Sequence, residues 1–167
     1  MASQNSFDIS TGADLQEVDN AVNQATKEIA QRYDFKGSKA AIAFDRAAPA
    51  LTLTADDDFK MKALFDVLQA KLIKRGVAVK NLELGPITPA ASDTVRREIK
   101  IVQGLPTETA RAIVKAIKDQ KFKKVQGAIQ GDEVRVSAPS RDELQQVISF
   151  LKTQDFGVEL RFGNYRG

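Results

Sequence analysis

Arg135 and Arg161 are the side chains in this chain best equipped to hold a ligand. A guanidinium grips a phosphate through paired N–H groups and also lies flat on an aromatic ring. Successive residues of a strand point to opposite faces of a sheet. On that alternation Lys100, Gln126, Gln130, Arg135, Ser137, Glu159 and Arg161 make one polar, mostly positive face. The opposite set, Ile99, Ile101, Val125, Ile129, Val134, Val136, Val158, Leu160 and Phe162, is apolar and is expected to meet helices. The polar face carries no aromatic ring on which bases would stack, so charge and hydrogen bonding remain, which suit phosphates better than bases. Packing of this face against another part of the protein is the structural alternative. Lys115, Lys118, Lys121, Lys123 and Lys124 form a second basic feature where a helix ends and a strand begins. The helix dipole favours cations there, so the cluster reads either as a solvated helix end or as a phosphate-binding edge.

Other chemistry is excluded by composition. With no cysteine and no histidine, the chain has no disulfide, thiol nucleophile, imidazole base or Cys/His zinc site. Asp56, Asp57 and Asp58 resemble a cation-binding cluster. They stand where a strand hands over to a helix, and there acids cap free N–H groups. Neither a Walker loop nor a Gly-x-Gly-x-x-Gly turn is present, and Gly127 and Gly131 fit strand packing and a hairpin turn.

The elements that must position these side chains occur twice. Residues 40–85 read as strand, turn, strand, helix, strand, and residues 124–163 repeat the pattern after a tight turn at Gly131-Asp132. Each copy follows a helical stretch, over residues 14–32 and 107–120, with Asp14 and Thr107 as caps. A first strand covers residues 6–10 and another residues 97–102, while Pro86, Pro89 and residues 90–93 read as a crossing or linker. Strand, helix, strand, strand, helix, strand, written twice, predicts an α+β protein. It has two tandem ferredoxin-like, RNP-like domains, each a four-stranded antiparallel sheet with two helices on one face. A period of roughly 83 residues is too long for a solenoid, so the division falls into residues 1–92 and 93–167.

The first of these halves has a net charge of −1 and the second +4, an asymmetry that directs an anionic partner to the second. No apolar run approaches the ~20 residues of a membrane span. The first seven residues lack the basic start and apolar middle of a secretory leader. A cytoplasmic, membrane-free protein is expected. Duplication of a small module, with no Cys or His, favours a binding protein or scaffold over an enzyme.

Several segments resemble the bacterial YajQ family: Ser6-Phe7-Asp8-Ile9, residues 14–22, Arg32-Tyr33-Asp34-Phe35-Lys36-Gly37, Lys123-Lys124-Val125-Gln126, residues 129–136 and residues 141–145. The resemblance covers essentially the whole chain. It departs at Ala138-Pro139-Ser140, where the family often has a basic segment, and is looser over residues 162–166. It implies tandem domains with exchanged N-terminal strands, so that residues 5–10 complete the second sheet and residues 97–102 the first, which would move Lys100 to the other sheet. It also implies a nucleotide-binding protein associated with GTP and tRNA; no catalytic residue and no cofactor are expected. Some members are cyclic di-GMP effectors acting with a transcription regulator. On that footing Arg135 and Arg161 are expected to bind phosphate and guanine. Lys36, Lys100, Lys123 and Lys124 add positive charge, and Gln126 reads a base edge. An RNA- or tRNA-binding module and a protein-interaction scaffold stand as alternatives.

Overall fold

The computed structural model describes residues 4–167; residues 1–3, part of the stretch read for a leader, lie outside the described residues. Among the described residues there are eight strands and four α-helices: β1 (Asn5–Ser10), α1 (Leu15–Gln31), β2 (Ala41–Asp45), β3 (Ala50–Ala55), α2 (Asp58–Lys74), β4 (Leu82–Ala90), β5 (Thr94–Ile101), α3 (Thr107–Asp119), β6 (Gln126–Gln130), β7 (Glu133–Ala138), α4 (Arg141–Lys152) and β8 (Arg161–Arg166). They form two four-stranded antiparallel sheets, in the orders β2-β3-β5-β4 and β6-β7-β1-β8. This is the α+β, ferredoxin-like architecture that the element order predicts. The strands are exchanged in sequence: β1 lies between β7 and β8, and β5 lies between β3 and β4. The compact units are accordingly 13–103, and the residues up to Gly12 together with 104–167.

In the 13–103 unit the helices start where the sequence supplies acceptors. Asp14 caps α1 by accepting from the Gln16 amide at 2.9 Å, and Asp57 caps α2 through the Lys60 amide at 2.8 Å. Val18, Ala21, Val22, Ala25 and Ile29 of α1 share one buried stripe, the spacing of a half-buried helix. They pack with Met61, Leu64, Leu68 and Leu72 of α2 over Leu51, Leu53 and Ile99 of the sheet. Each such side chain contributes ~1.5–3 kcal/mol by leaving water.

Residues 86–93 form a hairpin rather than a linker. β4 runs through both prolines to Ala90, turns at Ala91–Asp93, and pairs with β5 from Ala90↔Thr94 to Leu82↔Ile101. Two features accommodate the prolines. β4 is an edge strand, where a missing N–H need not break a ladder, and the register shifts between Leu84 and Ile87, around Pro86.

The other unit packs α3 and α4 on one face of its sheet. Phe7, Ile9, Val134 and Val136 are the buried residues of β1 and β7, and Ile113, Leu144, Val147 and Leu151 are buried on α3 and α4. Three details differ from the sequence reading. The last strand begins at Arg161 rather than at Val158. Glu159 therefore precedes it, and its carbonyl accepts the Thr11 hydroxyl at 2.6 Å. Thr107 lies inside the first turn of α3, and the cap position belongs to Pro106, whose ring offers no acceptor. Ile129 is 42% exposed, because β6 is the sheet edge and has a neighbour on one side only.

Candidate functional site

The helix-free face of the β6-β7-β1-β8 sheet is a polar grid whose rows follow from the strand register. Gln126, Ser137, Ser6 and Arg166 face one another across it; Ala128, Arg135 and Asp8 form the middle row with Gly163; Gln130 pairs with Glu133, and Ser10 with Arg161, in the third. The centre is Asp8, only 6% exposed. Its carboxylate accepts from Arg135 Nε at 3.1 Å, Asn164 Nδ2 at 2.6 Å and Arg166 Nη2 at 2.9 Å. Arg166 also donates through Nη1 to Ser6 Oγ at 3.0 Å. Burial pushes the Asp8 carboxyl up, but the three donors outweigh it and hold the group down at about 2.

The cluster fixes the two arginines without exhausting them. A guanidinium carries five N–H donors, and the bond to Asp8 uses only Nε of Arg135. Its side chain is 36% exposed, as is that of Arg166. Three arginines thus share this face with two carboxylates, Asp8 and Glu133. Arg135 and Arg166 are held by Asp8 and Ser6 and keep N–H groups that these bonds do not use.

The structure brings some of the sequence-derived residues together and separates others. Gln126, Arg135 and Arg161 lie on this one face. Lys123 and Lys124 are exposed in the turn that leads into β6, next to Gln126, with Lys124 at φ 59°. Lys100 is not part of the grid. It belongs to β5 in the 13–103 unit, opposite Ala50 and Glu83, because the strand that would have carried it here is replaced by β1. Lys36 is also in that unit, exposed after a 3-10 turn at Tyr33–Phe35. Phe35 is buried there, with Arg32 and Lys60 5.3 and 5.2 Å from its ring centre.

Sequence reasoning missed Asp8, Asn164 and Arg166. Alternation places Asp8 opposite Phe7 and Ile9, which was a usable signal; the two C-terminal residues depend on a bulge described below. The acidic run has no metal geometry. Asp56 accepts from the Ser38 hydroxyl and from the Lys39 amide, and these bonds lower its carboxyl, while Asp57 caps α2. No group of three or more His, Cys, Asp or Glu side chains able to hold a metal occurs among the described residues. Nor is any helix among them long and apolar enough to cross a membrane.

The family model of the YajQ-like nucleotide-binding proteins matches residues 5–166. The chain belongs to the YajQ-like family. Its relatives include a nucleotide-binding protein of Desulforamulus reducens, 51% identical over 99% of both chains. One from Koribacter versatilis is 51% identical over 97% of both. Another, from Chloroherpeton thalassium, is 46% identical over 99% of this chain and all of its own. Asp8, Arg135, Arg161, Asn164 and Arg166 all lie within the span matched by the YajQ-like model.

Proposed function

We propose that this YajQ-like chain is a cytoplasmic, non-catalytic nucleotide receptor that takes cyclic di-GMP on the grid around Asp8 and acts through a protein partner such as a transcription regulator. The observation that carries this reading is the pair of arginines from β7 and β8 converging on one buried carboxylate. Arg135 and Arg161 bind the two phosphates or stack on a guanine, Lys123 and Lys124 add positive charge at the sheet edge, and Gln126 reads a base edge. Family membership supports nucleotide binding as the general activity. Lys36 and Lys100 belong to the other unit, 13–103.

Calorimetric titration of cyclic di-GMP, with GTP in parallel, tests the reading. The Arg161 side chain makes no hydrogen bond or ion pair among the described residues, so Arg161→Ala removes a ligand contact and leaves the pairing of its backbone with Ser10 in place. Losing a charged hydrogen bond to phosphate weakens binding about ten-fold or more. Unchanged affinity in folded Arg161→Ala and Arg135→Ala variants would remove this face from consideration.

A second reading, an RNA or tRNA module, is favoured by the lysines that flank Gln126 at the end of α3. A polyanion releases counterions on binding, so its affinity falls steeply with salt, whereas a compact dianion gives a shallow slope. Titration at two salt concentrations separates the two. Absence of nucleotide hydrolysis with added magnesium is the expected result for a receptor.

A further inference from the structure

We propose that the cavity between the first turn of α4 and the ends of β1 and β8 is the base-stacking subsite of the nucleotide site, holding a purine on Tyr165 with its phosphate on Arg141. The proposal rests on the nucleotide reading above and extends it to a place outside the sheet grid.

The cavity has a volume of about 340 Å³ and is lined by Ser6, Arg141, Leu144, Gln145, Tyr165 and Arg166 among others. Ligand pockets run from about 300 to 1,000 Å³, so this one suits a single base and its sugar rather than a whole dinucleotide. Its charged side chains are both arginines, and the backbone of Gly167 lines it as well. Arg141 commits one Nη group to the Gly167 carbonyl at 3.0 Å and keeps its other donors. Leu144 supplies an apolar wall, and Gln145 offers an amide for a base edge.

Tyr165 is what makes the cavity a base site. The residue is 60% exposed although its ring stands against buried Phe7. Phe7, fully buried, backs it at 6.1 Å with the rings tilted by 36°, and Phe7 also meets Phe162 edge-on at 6.0 Å. An aromatic ring held from behind by a packed pair and open in front is a fixed stacking surface, with little rotamer freedom left to lose. Ser6 and Arg166 line this cavity and also belong to the sheet grid. The Arg166 guanidinium is turned to Asp8 and Ser6 on the helix-free face, whereas Tyr165 meets Phe7 on the helix side, so a nucleotide with its base on Tyr165 presents its phosphate to Arg141.

The chain contains no tryptophan and two tyrosines, Tyr33 and Tyr165. Tyr33 lies in the other unit and is 88% exposed. Tyr33→Phe therefore leaves Tyr165 as the sole tyrosine, whose emission is excited apart from that of phenylalanine. Titrating this variant with cyclic di-GMP and with GTP, corrected for nucleotide absorbance, is expected to quench Tyr165 emission saturably at the calorimetric Kd. Removing a stacked ring weakens binding about ten-fold or more, so Tyr165→Leu loses that much. Tyr165→Phe, which keeps the ring on Phe7, binds as the parent does. Calorimetric binding with unchanged Tyr165 emission and parental affinity in Tyr165→Leu would overturn the subsite and leave the nucleotide reading intact. Heat from neither nucleotide would overturn both.

Discussion

Replacing Asp8 with Asn converts the buried carboxylate into a neutral isostere that keeps its volume but loses the charge facing Arg135 and Arg166. The folded-state value of about 2 lies below the ordinary 3.8. Folding therefore releases the proton more readily than the unfolded chain does. Stability from this group is fully present above the unfolded value and is lost as pH falls through the folded one. A gap of nearly two pH units at 1.36 kcal/mol each comes to about 2 kcal/mol at neutral pH. About half has gone by pH 3, and little is left at pH 2. Urea unfolding followed by circular dichroism between pH 6 and pH 2 measures this as the wild-type-minus-Asp8→Asn difference. That subtraction cancels the other lowered carboxylates, Glu28, Asp34 and Asp56, which belong to the 13–103 unit. The difference should shrink by about 2 kcal/mol across this range, in the transition that melts the β6-β7-β1-β8 sheet. Carboxyl carbon NMR gives the titration directly. A midpoint for Asp8 near its ordinary value, or a pH-independent difference, refutes the account of the cluster.

Other substitutions follow from single contacts. Asp57→Ala removes the α2 cap and should cost about 1 kcal/mol by thermal melting, while Asp58→Ala, which makes no capping bond, should cost clearly less. Leu64 is fully buried in the core of the 13–103 unit, so Leu64→Ala should cost about 2–5 kcal/mol in urea. A Cβ on Gly85 would stand 2.7 Å from the Glu98 carbonyl oxygen. Gly85→Ala should therefore force the β4 bulge apart and cost about 1–3 kcal/mol in the same assay.

Much of this fold is legible residue by residue. Val18, Val22, Ala25 and Ile29 announce α1 by spacing alone, and Gly131-Asp132 marks the β6–β7 hairpin, because these signals are local. What is not legible depends on neighbours remote in sequence. Pro86 and Pro89 read as breakers, since nothing nearby in the chain says that their strand is an edge. The face of Lys100 depends on which sheet admits β5, and that is decided by pairing with residues 50–55. The end of β8 misleads for a different reason. Asn164 takes φ 55°, and the pairing with β1 shifts between Ser6 and Asp8. Strict alternation from Phe162 would put Asn164 and Arg166 on the helix side; the bulge instead delivers both to Asp8 and turns Tyr165 toward Phe7. Three of the side chains that matter most are thus placed by one irregular residue.

The exchange of β1 imposes an order on folding. The whole of the 13–103 unit is synthesised before β7 and β8, the two partners of β1. Phe7 and Ile9, both fully buried at the end, must stay in water or on a chaperone for well over a hundred residues of synthesis. The 13–103 unit is continuous in the chain and has its own core. It can be complete while the other unit is a single unpaired strand. In that interval Gly12 and Gly104 mark the ends of a folded insert, and the Gly104 amide that bonds to the Thr11 carbonyl at 3.0 Å closes the loop. Closing it brings the waiting strand alongside the segment whose later residues will enclose it. The early unit thus acts as a template that shortens the search β1 must make for its sheet.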